Sequence, residues 1–393
     1  MTMQKWIVPI LFLVAPFAFL TPGLIWKSQL LFFLIMPVFI LAVHIKNVWV
    51  KVFILYAMAW QFAVFLLTFN NNSQNVVGAS LSVIMAIMAG SFVYKFISES
   101  ELPTEKWFMV LRIAVILQIL LAIPNIWGHS TVATMLSWFT PVMEKLPGHV
   151  VGTLGNRNYL AAFIAVSLPA FIGWRTFKIR GVSVNPAIIV IFIFLGFCLS
   201  PGTLAAIIGM GFYLSRNMSF WKRMVAISVS MKVAVAFAAA YILTTGYHVN
   251  EFQALPAQLK EFFSTGRITV DYFENDVGRF AMWMMAVSKI IHHWVTLIFG
   301  SGPGAFWGRN YPIHGEYISI LFQYGLIGLA IVGGYIVHTW RFLAGRKERA
   351  LLATSFFILL LDCVGNFPLQ IATTSFMILI ILGLIERERL KDE

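Results

Sequence analysis

EYISILFQYGLIGLAIVGGYIVHTW, residues 316–340, decides the fold. After Glu316 the run continues to Trp340 without another Asp, Glu, Lys or Arg. A helix rises about 1.5 Å per residue, so roughly 20 such residues cross a hydrocarbon layer about 30 Å thick. The run lacks the polar-apolar alternation of a membrane barrel strand, and backbone in lipid must satisfy its own hydrogen bonds. The segment therefore reads as a membrane-spanning helix.

Working outward, comparable runs recur along the whole chain. They lie at approximately 6–22, 29–44, 48–69, 76–96, 107–126, 158–174, 182–199, 203–218 and 224–245, and again at 350–365 and 369–385. With 60% hydrophobic and 11% charged residues among 393, the apolar surface exceeds what a soluble fold of this length buries. The expected fold is an all-α polytopic membrane protein with about twelve transmembrane helices, residues 1–393 forming a single membrane domain. The first run, Trp6 to Thr21, resembles a signal peptide, but no convincing small-x-small cleavage site follows and it is read as a retained span.

The formal charge of +12 does not point to nucleic acid, because the 28 Lys and Arg sit in short clusters between apolar runs. Arg175, Lys178 and Arg180 precede one short pair of spans, and Arg216, Lys222 and Arg223 follow it. Most cations then fall on one side, which places both termini in the cytoplasm by the positive-inside rule. Cys198 and Cys363 lie in apolar stretches and suggest neither a disulfide framework nor a zinc site.

This topology leaves two sizeable outward segments, one near 125–158 and a long one over 246–315. The long segment is too apolar for a disordered tail. Phe280, Met282, Trp283, Met284, Val287, Ile290 and Ile291 follow Gly278-Arg279 at near-helical spacing, so helices lying along the membrane surface are expected there.

Three stretches could carry chemistry. Gly152-Thr153-Leu154-Gly155-Asn156-Arg157-Asn158 precedes a span; it reads either as a shaped turn whose backbone N–H groups suit an anion or as a helix start with Asn caps. Gly278-Arg279 puts a guanidinium in an apolar outer segment, where it grips either a phosphate or lipid headgroups. The third stretch runs through Gly300-Ser301-Gly302-Pro303-Gly304, then Arg309, then His314-Gly315-Glu316-Tyr317, then Tyr324-Gly325-Leu326-Ile327-Gly328. His314 sits at a helix start, which favours the neutral, proton-accepting imidazole; Glu316 either orients it or simply complements the helix dipole. Asp362, near the outer end of its span, is read as the partner of a loop cation or as a residue lining the site. Arg112 and Lys232 are expected to snorkel, and His292 and His293 read as interface residues outside any metal constellation.

Taken in order, from Gly152 to Gly328, these stretches resemble the membrane domain shared by O-antigen ligases, O-antigen polymerases and bacterial protein O-oligosaccharyltransferases. The resemblance implies a metal-independent, cofactor-free, inverting glycan transfer from an undecaprenyl-diphosphate-linked donor. The acceptor is a hydroxyl of lipid A-core or of a growing glycan at the periplasmic face. It further implies that Arg279 engages the diphosphate and His314, with Glu316, assists the acceptor. Arg157, Asn156, Asn158, Tyr317 and Arg309 are then substrate-binding candidates.

Two departures qualify the likeness. Where related proteins carry a Ser-Arg-Gly turn, this chain reads Ser200-Pro201-Gly202, and where they tend to have a neutral residue it has Arg157. Arg157 is accordingly expected to replace the missing cation; a degraded, inactive site is the other reading. Length and the single long outer segment favour a ligase over a polymerase. A lipid-linked glycan flippase or other transporter remains the reading of another class, for which paired broken helices and midplane ionisable residues are the expected marks.

Overall fold

A computed structural model describes residues 45–69, 90–126, 157–174, 176–179, 182–198, 200–245, 260, 264, 279–302, 315–344, 346–365 and 372–393. The spans expected at 6–22 and 29–44, and most of 76–96, lie outside these residues.

The described chain is helical apart from one short hairpin. The helices are α1 (Val48–Phe69), α2 (residues 90–98), α3 (Thr104–Ile126), α4 (Arg157–Ser167), α5 (Pro186–Cys198), α6 (Pro201–Ser215) and α7 (Phe220–Thr245). They continue with α8 (Arg279–Ile291), α9 (Trp294–Phe299), α10 (Glu316–Leu343), α11 (Ala350–Gly365) and α12 (Ala372–Asp392). Two of them, at Thr104–Pro124 and Glu316–Leu343, are long and apolar enough to cross a membrane.

The all-α expectation holds for the described residues apart from this hairpin. Strands β1 (Phe177–Ile179) and β2 (Val182–Val184) pair antiparallel, with Phe177 opposite Val184, so the span expected from residue 182 begins in a strand. Its helix starts at Pro186, whose fixed φ and missing N–H suit a first helical position. Asn185 makes the junction. Its side-chain oxygen accepts from the N–H of Ala187 and Ile188, and its Nδ2 donates to the carbonyls of Phe171 and Trp174 at 2.6 and 2.9 Å. The last turn of the preceding element is thus satisfied by the cap of the next.

At the centre stands α4. It is apolar on every side, and Leu160 to Phe171 are buried without interruption through the 3-10 turn Leu168–Phe171. It packs among α3, α5, α6, α11 and α12, where Trp107, Phe163, Leu195 and Phe356 are fully enclosed. Arg112 of α3 reaches back two turns to Glu105 at 2.6 Å and donates through Nε to the Ala170 carbonyl at the end of this central element. By contrast, Ile189, Val190 and Ile193 on α5 and Val225, Val229 and Val233 on α7 keep apolar side chains exposed.

A second seam joins α1 to α10. Trp49, Phe53, Tyr56 and Trp60 recur at helical spacing on α1. Gly334 opens a notch for the Trp49 ring, and the Phe53 ring meets Tyr324 edge-on at 5.4 Å. At the far end, Asn47 donates to Glu386 at 2.9 Å, and Arg389 grips the same carboxylate with two nitrogens.

Candidate functional site

Three helix ends converge on Gly315. A Cβ added there would lie 3.0 Å from the Val364 carbonyl oxygen, at the end of α11, and 3.1 Å from the indole nitrogen of Trp283 on α8. The residue has φ +104°, a conformation that L side chains rarely adopt. Glycine is therefore required here by backbone shape and by the two neighbours together. Immediately after it, Glu316 opens α10 and is 4% exposed, and Tyr317 donates its hydroxyl to the Leu360 carbonyl at 2.9 Å. Asp362, two residues before Val364, is completely buried. Glu316 and Asp362 both lie within electrostatic reach of Cys363, so two carboxyl groups share this end of the bundle.

The helix expected after Gly278-Arg279 begins at Arg279 itself. Trp283 follows one turn later, so the contact between Trp283 and Gly315 joins the second and third of the stretches singled out in the sequence.

The third stretch closes on itself. Helix α10 is broken at Gly325, with φ +64° and ψ −165°, inside an otherwise continuous helix. The break frees carbonyls from their usual partners, and each described one finds another donor. Phe322 accepts from Ser301 N–H at 2.7 Å, Gln323 from Gly302 N–H at 3.1 Å, and Tyr324 from the Tyr56 hydroxyl at 2.8 Å. Tyr56 also lies 3.2 Å from the carbonyl of Phe299, the last residue of α9. Gly300 and Gly325 thus cross backbone against backbone: a Cβ on Gly300 would collide with Gln323, and one on Gly325 with Ile298.

Arg157 and Asn158 open α4, away from this crossing in sequence but beside the Ser200-Pro201-Gly202 turn. A Cβ on Gly202 would sit 2.8 Å from the backbone of Ala161, one turn beyond Arg157. Pro201 takes the first position of α6, and Thr203 donates its hydroxyl back to the Leu195 carbonyl at 2.9 Å. The Ser200-Pro201-Gly202 segment is therefore pressed against the start of the helix that carries Arg157.

His314, Arg309 and Asn156 lie outside the described residues. Among the described residues, no group of three His, Cys, Asp or Glu could hold a metal ion. His292 turns its Nδ1 to the Ser288 carbonyl, and His293 caps α9.

Sequence reasoning missed Tyr56. The first ninety residues read as hydrophobicity alone, yet the stripe Trp49, Phe53, Tyr56, Trp60 was a signal that this helix packs by aromatic contacts on one face. No protein-family model matches the chain, and no curated protein matches its sequence.

Proposed function

We propose that this chain is a polytopic membrane glycan transferase of about twelve spans, with both termini cytoplasmic and its site at the periplasmic face of the inner membrane. The reaction is transfer of an undecaprenyl-diphosphate-linked glycan to an acceptor hydroxyl, and the assignment within this class is O-antigen ligase, with lipid A-core as acceptor. The observation that carries this reading is the meeting of Trp283, Gly315 and Val364, which brings the Arg279 helix against the start of the helix that His314 precedes. Exposed apolar side chains on α5 and α7 support a lipid surround.

Chemically, the acceptor oxygen attacks the anomeric carbon as the bond from that carbon to the diphosphate oxygen breaks, with inversion. The hydroxyl proton passes to the neutral imidazole of His314, and the leaving diphosphate collects charge that the Arg279 guanidinium stabilises. Glu316 orients the imidazole.

A carrier is favoured by one observation, the broken helix α10. In carriers, however, unwound backbone is left open to coordinate the cargo. Here Ser301, Gly302 and Tyr56 occupy the freed carbonyls of Phe322, Gln323 and Tyr324, so the break acts as a brace.

The test is the lipopolysaccharide ladder of a deletion strain complemented with wild type, Arg279→Ala or His314→Ala at verified expression. Loss of all long chains in the deletion and in both variants supports a ligase. Core capped by a single repeat unit assigns the chain to polymerases instead. A normal ladder from both variants removes the catalytic assignment and brings the transporter reading forward.

A further inference from the structure

Two units carry the proposed chemistry. One is α8–α9, which begins at Arg279 and ends at Phe299; the other is the outer half of α10, which begins at Glu316 and ends at Tyr324. A glycine crossing joins them, with Ser301 and Gly302 N–H donating to the Phe322 and Gln323 carbonyls. Three successive contacts from α1 brace the same junction from another side. The Phe53 ring meets Tyr324 at 5.4 Å, the Trp60 ring stacks on Phe299 at 5.7 Å, and between them the Tyr56 hydroxyl reaches carbonyls of both units, at 2.8 Å to Tyr324 and 3.2 Å to Phe299.

We infer that Tyr56 is a positioning residue for the transfer site, its single hydroxyl fixing α8–α9 against the outer half of α10 by bridging their terminal carbonyls. The inference rests on the functional reading above, since it concerns the same site. The bridge is a polar contact among aromatic and aliphatic neighbours, the core of this seam being Ala57, Ile320 and Tyr324 with Phe53 and Trp60 against it. The two bonds are part-buried, so losing the hydroxyl removes a donor from both carbonyls, and a carbonyl deprived of its partner shifts to find another. A shift at Tyr324 passes along one helix to Glu316, and a shift at Phe299 passes through α9 and its packing on α8 to Arg279. Misplacement of about 1 Å between reacting groups costs up to roughly 10²-fold in rate without touching any reacting group.

Tyr56→Phe removes the hydroxyl and keeps the ring. Wild type, Tyr56→Phe and His314→Ala are purified in detergent, the folded fraction of each is measured by size exclusion and thermal denaturation, and steady-state glycan transfer is followed with an undecaprenyl-diphosphate-linked donor. The expected result is kcat per folded molecule about tenfold lower for Tyr56→Phe, with the donor KM within about twofold of wild type. A purely structural hydroxyl lowers the folded fraction and leaves kcat per folded molecule alone; that outcome, or full wild-type kinetics, overturns the inference while the functional reading stands. Wild type that transfers no glycan under conditions where a known transferase does overturns the functional reading, and this inference with it.

Discussion

Gly300 and Gly325 cross with their backbones in direct contact, 25 positions apart in sequence, and neither has room for a Cβ. The crossing ties the end of α9 to the middle of α10 and makes the helix break a fixed angle.

Gly325→Ala is expected to disrupt this angle. Its φ of +64° with ψ of −165° belongs to a region essentially reserved for glycine, so the backbone alone costs on the order of 2–3 kcal/mol before the collision with Ile298 is counted. Denaturation in detergent should give a clearly lower melting temperature than wild type. Gly333→Ala is the comparison, because a Cβ there meets nothing within 4 Å and the variant should melt close to wild type. Equal melting of Gly325→Ala and Gly333→Ala would refute the crossing.

The packing of Gly202 on Ala161 makes a swap experiment informative. If Arg157 supplies the cation that the Ser200-Pro201-Gly202 turn lacks, Arg157→Ala abolishes transfer and Arg157→Ala with Pro201→Arg recovers a measurable part of it. Pro201 occupies the first helical position, where a backbone N–H has no helical partner, so arginine fits there without breaking a bond. Normal transfer by Arg157→Ala would show that the cation lies elsewhere.

Glu316→Gln keeps the volume of a side chain that is almost fully buried at the head of α10. Turnover is expected to fall on the order of 10²-fold with the yield of folded protein unchanged, as befits a carboxylate that orients a base. Unimpaired turnover would leave Glu316 as a dipole partner only.

At the opposite end, Glu386 follows the last predicted span and is held by Arg389 and Asn47. Burial works against its carboxylate, but the hydrogen bonds from Arg389 and Asn47 and the charge of Arg389 outweigh it and keep Glu386 below the ordinary glutamate value. A carboxyl depressed in the folded state contributes stability above its unfolded value of roughly 4.3, and loses it as pH falls through the folded value. Glu386→Gln should therefore melt below wild type at pH 7. The gap between the two should narrow as pH drops under roughly 4. A gap that stays constant with pH would mean that the charge is not what stabilises.

The sequence by itself determined the helices. Segments 48–69, 107–126, 316–340 and 350–365 are each helical over nearly the predicted residues, because an apolar run of that length has little alternative to helix once it leaves water. It also pointed to near-helical spacing after Gly278-Arg279 and singled out the stretches that contain Gly300, Gly315 and Gly325. Only the tertiary structure decided what those glycines do, because each is defined by the atoms opposite it: Gln323 for Gly300, Val364 and Trp283 for Gly315, Ile298 for Gly325. The hairpin ahead of α5 depends in the same way on cross-strand pairing, which a hydropathy run does not register. Tyr56 is the plainest case. Its partners Phe299 and Tyr324 stand 243 and 268 residues away, and local composition, which fixes whether a segment is helical, carries no record of which distant carbonyl its one hydroxyl will meet.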